Sequence, residues 1–142
     1  MTELSDTIVI RPVIMIDDDP EDLDMANELV KGLHVPNRFI SFSEPLTALS
    51  FLQTQDDLPM FIICDVNMPK MDGFELRTEL LKHPGMEKIP FFFLSTSKSH
   101  GETVLAQECK ADGYYQKAGT FLEQEKIFDQ MFVTAKGIWD NR

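Results

Sequence analysis

Residues 60–73 read MFIICDVNMPKMDG, and this stretch decides the fold. Met60 to Cys64 is apolar without alternation, the pattern of a central parallel strand covered on both faces. Asp65, Asn67, Pro69 and Gly73 then make a polar loop rich in turn residues. Beyond it Phe74, Leu76, Leu80 and Leu81 recur at helical spacing, which predicts a helix from about Gly73 to His83, stopped by Pro84 and Gly85. A buried strand feeding a helix through a loop is the building unit of an α/β protein.

The same unit recurs on both sides. Upstream, Pro12 to Ile16 (PVIMI) predicts a strand. A helix follows, with Asp19 as N-cap, Pro20 in its first position, Leu23, Ala26, Val30 and Leu33 on one face, and Gly32 near its end. Arg38 to Phe42 predicts a second strand, and Ser43 is expected to cap a short helix carrying Leu46, Leu49, Phe51 and Leu52. Downstream, Ile89 to Leu94 is another buried strand, Ser99 to Lys110 a weaker helix and Gly113 to Gln116 a short fifth strand. Thr120 to Trp139 is a long helix with Phe121, Phe128, Met131, Phe132, Ala135 and Trp139 as its apolar stripe. Five strands alternating with five helices imply a parallel sheet with right-handed crossovers and helices on both faces. There is no internal repeat or linker, so one domain is expected over residues 8–142, behind a tail of residues 1–7.

Composition narrows the function. The 142 residues carry 13 Lys plus Arg against 24 Asp plus Glu, a formal net charge of −11. That surplus repels phosphate backbones and anionic lipid, which disfavours nucleic-acid and membrane-surface binding. No apolar run approaches the roughly 20 residues that span a bilayer, and the N-terminus lacks the pattern of a signal peptide. Cys64 and Cys109 make no disulfide framework or zinc motif, which points to a reduced, cytoplasmic setting. The hydrophobic fraction of 43% is that of an ordinary globular domain.

In open α/β sheets, ligands gather at the carboxyl ends of the strands. Here the first strand ends in Asp17-Asp18-Asp19, the third in Asp65-Val66-Asn67, the fourth in Ser95-Thr96 and the fifth in Lys117. Asp19, Glu21 and Asp22 suit a helix N-terminus, where negative charge complements the dipole. Capping does not explain Asp17, Asp18 or Asp65. Clustered carboxylates must take up protons or bind a cation, and an oxygen-only donor set favours a hard ion such as Mg²⁺. The glycine-rich phosphate loops of nucleotide binders are absent.

The segments IDDDP (Ile16 to Pro20), CDVNMPKMDG (Cys64 to Gly73), LST (Leu94 to Thr96) and DGYYQKAGT (Asp112 to Thr120) resemble the receiver domains of two-component response regulators, in order and over nearly the whole chain. The resemblance implies a flavodoxin-like, doubly wound (βα)5 fold with strand order 2-1-3-4-5. It implies Asp65 as phospho-acceptor and Asp17 and Asp18 as the acidic pair that holds Mg²⁺, with Asp18 the more direct ligand. Asp65 and the backbone carbonyl of Asn67 would complete the metal site. Ser95 and Lys117 would bind the phosphoryl group, and Ser95 with Tyr114 would form the switch. The phosphodonor would be a histidine kinase or a histidine phosphotransfer protein. The product would be an aspartyl phosphate on a module that is not otherwise an enzyme.

The family places proline after its lysine. Ala118 stands there instead, and whether the Lys117–Ala118 bond is cis or trans is left open. The long acidic run also allows Asp19 to compete with Asp18 for the metal. Only a final helix and a short tail follow Lys117, so output is expected through contacts with a downstream protein or through a phosphorelay, from a monomer or weak dimer.

Two other functions fit parts of the sequence. Asp17-x-Asp19 has the spacing of an aspartyl-nucleophile phosphatase, although Glu21 replaces the usual Thr or Val. A receiver-like scaffold that is never phosphorylated is the other. His34, His83 and His100 are expected to be solvated surface residues, and Tyr114 also fits as an ordinary aromatic on an edge strand.

Overall fold

The strands β1 (Val13–Ile16), β2 (Phe39–Phe42), β3 (Phe61–Asp65), β4 (Phe91–Ser95) and β5 (Gly113–Gln116) form one parallel sheet in the order β2-β1-β3-β4-β5. The helices between and after them are α1 (Pro20–Gly32), α2 (Pro45–Thr54), α3 (Gly73–Leu80), α4 (His100–Glu108) and α5 (Phe121–Asp140). This is a computed structural model, and it describes residues 10–97 and 99–142. The expected tail of residues 1–7 and the start of the domain at residue 8 lie outside the described residues.

Period-two alternation along the strands builds two cores. Ile14, Ile16, Ile62, Cys64, Phe91 and Phe93 point to one face, where Ala48, Leu49 and Leu52 of α2, Leu76 and Leu80 of α3 and Ala106 of α4 cover them. Val13, Met15, Phe61, Ile63, Phe92 and Leu94 point to the other, under Leu23, Ala26, Leu29 and Val30 of α1 and Phe128, Met131, Ala135 and Trp139 of α5. β1, β3 and β4 are therefore buried at every position, and apolar except for Asp65 and Ser95 at the carboxyl ends of β3 and β4. The four phenylalanines Phe61, Phe91, Phe92 and Phe93 are fully buried, each stabilising the fold by about 2–3 kcal/mol. Trp139 fastens α5 across the sheet by donating its indole N–H to the Met60 carbonyl at 2.8 Å.

Order 2-1-3 with 4-5 beyond puts the reversal between β1 and β3, whose carboxyl ends carry Asp17 and Asp65. The end of the sheet at which the chain leaves these two strands is where a site should form.

Some local expectations shift. α2 is capped at Glu44 and not at Ser43, with no side-chain cap hydrogen bond and Pro45 opening the helix. Its buried face runs through Pro45, Ala48, Leu49 and Leu52, so Leu46, about 100° around from Pro45, is 60% exposed. The α5 stripe begins at buried Gln124, and Phe121 in the first turn is 49% exposed. α3 ends at Leu80, three residues before the expected His83. A 3-10 turn at Met86–Lys88, entered through Gly85 at φ +91°, precedes β4, which starts two residues after the expected Ile89. His34 and His100 are exposed, but His83 is half-buried.

Candidate functional site

Asp17 follows β1 directly and is fully buried. It faces inward because its Oδ1 accepts the Asp19 N–H at 2.9 Å. Asp19 itself is turned outward as the N-cap of α1, accepting the Glu21 N–H at 3.0 Å. The triple-acid run is thus divided by backbone geometry. Asp17 serves the site, Asp19 the helix, and Asp18 is exposed at the rim.

Asp65 is the last residue of β3 and is buried, 6% exposed. Burial pushes its carboxyl up to about 6, with the Asp17 charge adding to the effect and Lys117 opposing it. Asp17 is also raised, chiefly by burial, against the opposing Asp19 N–H and Lys117. Asp17, Asp18 and Asp65 each offer a carboxylate oxygen within 4.8 Å of the others, and they form a group able to hold a metal ion. Three close carboxylates, two of them pushed upward in pKa chiefly by burial, fit a hard divalent cation. Asn67 lies two residues beyond Asp65 and is exposed.

The first turn of α3 presses on the main chain here. A Cβ at Gly73 would lie 2.4 Å from the Asp65 carbonyl oxygen and 3.0 Å from the Val66 Cα, so only glycine fits. The Gly73 N–H donates to the Val66 carbonyl at 2.8 Å. An Asp72–Glu75 capping box then fixes the helix start.

Lys117 follows β5 and is half-buried. Its Nζ donates to Asp17 at 2.9 Å and to Asp22 at 2.7 Å, and stands 3.6 Å from Asp65. Burial alone would weaken its charge, but the Asp22 and Asp17 hydrogen bonds outweigh it and hold the ammonium well above its ordinary value. The lysine is set in place from both sides. Its N–H donates to the Ser95 carbonyl at 2.7 Å, and the next N–H, of Ala118, donates to buried Gln124 Oε1 at 2.8 Å. No cis peptide bond occurs among the described residues, so Lys117–Ala118 is trans.

Ser95 ends β4 and is fully buried. Its hydroxyl donates to Glu102 Oε1 at 3.0 Å. Tyr114 on β5 is half-buried against the core, and its hydroxyl lies 2.7 Å from the same Glu102 oxygen and 2.6 Å from the Ser97 carbonyl.

The structure brings together Asp17, Asp18, Asp65 and Lys117, and it places Ser95 beside Tyr114. Three further residues escaped the sequence reading. Asp22 looks like a helix-dipole acid, Gln124 like an ordinary polar residue, and Glu102 like half of a capping box. A Ser-x-x-Glu pattern at Ser99 was the only signal for Glu102.

Comparison with known proteins agrees with this geometry. The model of the response regulator receiver domain matches residues 13–129. Response regulator Rcp1 from Synechocystis sp. is 27% identical over 113 residues, covering 76% of this chain and 77% of that protein. A two-component response regulator of Arabidopsis thaliana, ARR21, is 31% identical over 105 residues, 74% of this chain but only 16% of that longer protein. Among solved structures, the Mn²⁺-bound form of Rcp1 superposes with a TM-score of 0.70 at 25% identity, covering 90% of this chain and 91% of that one. The chemotaxis protein CheY4 of Vibrio cholerae shares the fold, with a TM-score of 0.74 at 21% identity over 86% of this chain and 98% of that one. With five parallel strands in this order, acids closing the first and third and a lysine closing the fifth, the chain belongs to the response regulator receiver domains.

Proposed function

We propose that the chain is a phosphorylation-controlled signalling module that takes a phosphoryl group onto Asp65 and passes its state on through protein contacts or a phosphorelay. One observation carries this: a buried acceptor carboxylate at the end of the central strand has Asp17 and Asp18 within metal-sharing reach and Lys117 3.6 Å away. The donor would be the phosphohistidine of a histidine kinase or histidine phosphotransfer protein.

Transfer consists of attack by an Asp65 Oδ on phosphorus. An O–P bond forms as the P–N bond breaks, and the bonding pair leaves with the imidazole nitrogen. A carboxyl with a pKa of about 6 is largely ionised, and so nucleophilic, at neutral pH. Asp17, Asp18, the Asp65 carboxylate and the Asn67 backbone carbonyl would hold Mg²⁺, which supplies charge neutralisation for the phosphoryl oxygens when bound. That the relative Rcp1 has a Mn²⁺-bound form supports a divalent ion for this chain too. Lys117 lies next to Asp65 and would pair with the phosphoryl group, and Ser95 would donate to one of its oxygens. Ser95 and Tyr114 together would form the switch that changes the face built from α4, β5 and α5 by shifting populations.

The phosphatase alternative fits less well, since Asp19 spends its side chain on capping α1. No helix among the described residues is long and apolar enough to cross a membrane. We place the protein in the cytoplasm as a monomer or weak dimer. The test is calorimetric titration with beryllium fluoride, a phosphoryl mimic, in the presence of Mg²⁺. The wild type should bind and Asp65→Asn should not. Absence of binding in the wild type overturns the proposal.

A further inference from the structure

Two helices in this structure open with the same kind of signal and use it differently. In α3, Asp72 accepts the Glu75 N–H and the Glu75 carboxylate returns to the Asp72 N–H, closing the box. In α4, Ser99 accepts the Glu102 N–H at 3.0 Å, so the first half is present. The Glu102 carboxylate, however, turns away from the helix start. It accepts Ser95 and Tyr114 hydroxyls on Oε1 and the Ser97 hydroxyl on Oε2. These three hydroxyls hold Glu102 ionised, overriding the opposing effect of burial.

We propose that Glu102 is a latch on the phosphoryl site: its carboxylate holds the Ser95 proton that a phosphoryl group on Asp65 would need. This rests on the acceptor reading of Asp65 above.

A serine hydroxyl has one proton to donate. While that proton points at Glu102, Ser95 offers a phosphoryl oxygen only lone pairs. Engagement of the phosphoryl group therefore requires the Ser95–Glu102 bond to break. Both acceptors are anionic, so both bonds are of the strong, charge-assisted kind, and the exchange is close to balanced. Loss of Ser95 also removes one of the three donors around Glu102, and Tyr114 shares the very oxygen that Ser95 leaves. Glu102 is thereby the common partner through which occupation of Asp65 reaches Tyr114. It touches no reacting atom and acts as a positioning residue.

The latch makes the site weaker than its ligands would allow. Beryllium fluoride with Mg²⁺, titrated by calorimetry, reads this directly. Glu102→Ala should bind about tenfold more tightly than the wild type, the scale of one charge-assisted hydrogen bond. Glu102→Gln, which keeps the volume and an acceptor oxygen but loses the charge, should gain about threefold and guards against a folding defect in the alanine variant. In a Ser95→Ala background, Glu102→Ala should gain nothing, because no proton is left to release. A merely structural role for Glu102 would lower affinity or leave it unchanged, whatever residue stands at 95. Equal or weaker binding by both Glu102 variants, with wild-type binding intact and lost in Asp65→Asn, overturns the latch and leaves the acceptor reading standing. A gain that persists without Ser95 overturns it too. If the wild type does not bind the mimic, the acceptor reading fails first and the latch with it.

Discussion

The Lys117 ammonium donates to Asp22 at 2.7 Å, a pair 95 residues apart in the chain that ties the end of β5 to the first turn of α1. Together with Asp17 it draws the lysine to the α1 side, leaving Asp65 at 3.6 Å. Asp22→Asn should therefore free Lys117 towards Asp65 and lower the pKa of Asp65 below about 6, as followed by carboxyl-carbon NMR titration. Asp22 is partly solvated, so the cost in stability should be no more than about 1 kcal/mol.

Asp65 should be a source of instability while it stands without a phosphoryl group or a metal. Its folded pKa of about 6 lies above the ordinary 3.8. The sign follows: the carboxyl favours the folded state most fully below about pH 4, and that contribution is lost as pH rises through 6. Asp65→Asn should then stabilise the metal-free protein by about 1–3 kcal/mol at pH 7.5 and by little at pH 4. Urea unfolding at the two pH values checks this. Added Mg²⁺ should narrow the difference at pH 7.5 by stabilising the wild type.

Gly73→Ala sets two effects against each other. Alanine improves helix propensity by at most about 1 kcal/mol. Its Cβ would stand 2.4 Å from the Asp65 carbonyl oxygen, a contact with main chain that no side-chain rotation relieves. The clash should win, costing about 2–4 kcal/mol in chemical denaturation and weakening beryllium fluoride binding by displacing Asp65.

Arg77, on α3, is buried at 2% exposure. Its Nε and Nη2 donate to the carbonyls of Cys109 and Lys110 at the end of α4, and its guanidinium lies 4.7 Å from the centre of the Phe91 ring. Burial lowers its pKa. Arg77→Met keeps much of the volume but strips two carbonyls of their donor, so a loss of about 2–4 kcal/mol is expected. Arg77→Lys should recover less than half of it, since one ammonium lacks the planar fork that reaches both carbonyls. Thermal and urea unfolding of the pair measure this.

The fold was legible because the central strands are unbroken apolar runs and the helices repeat apolar residues at helical spacing, both of which depend on local pattern alone. The strand-end acids and Lys117 were legible because the topology forces strand ends together. Asp22, Glu102 and Gln124 were not, because each has an adequate local explanation that hides a distant partner. A first-turn acid looks the same in sequence whether it serves the dipole or a lysine 95 residues away. Glu102 shows the limit most clearly: the Ser-x-x-Glu pattern correctly marks the helix start but does not say which way the carboxylate turns. Leu46 and Phe121 failed for a different reason. Apolar type and approximate spacing do not fix the phase of a helix at its first turn, where one residue more or less moves a side chain from core to solvent.

The contact between Gly73 and the Asp65 main chain has a mechanical meaning. On the β3 side the Asp65 main chain is backed by the start of α3, packed so closely at Gly73 that no Cβ fits between them. On the side of β4 and β5 the neighbouring support is of another kind, the Ser95 and Tyr114 hydroxyls held to one carboxylate oxygen of Glu102. Bulk added at Asp65 would have close-packed main chain on one side and exchangeable hydrogen bonds on the other. On the acceptor reading of Asp65, displacement would then run towards β5 and away from the main chain that Gly73 braces.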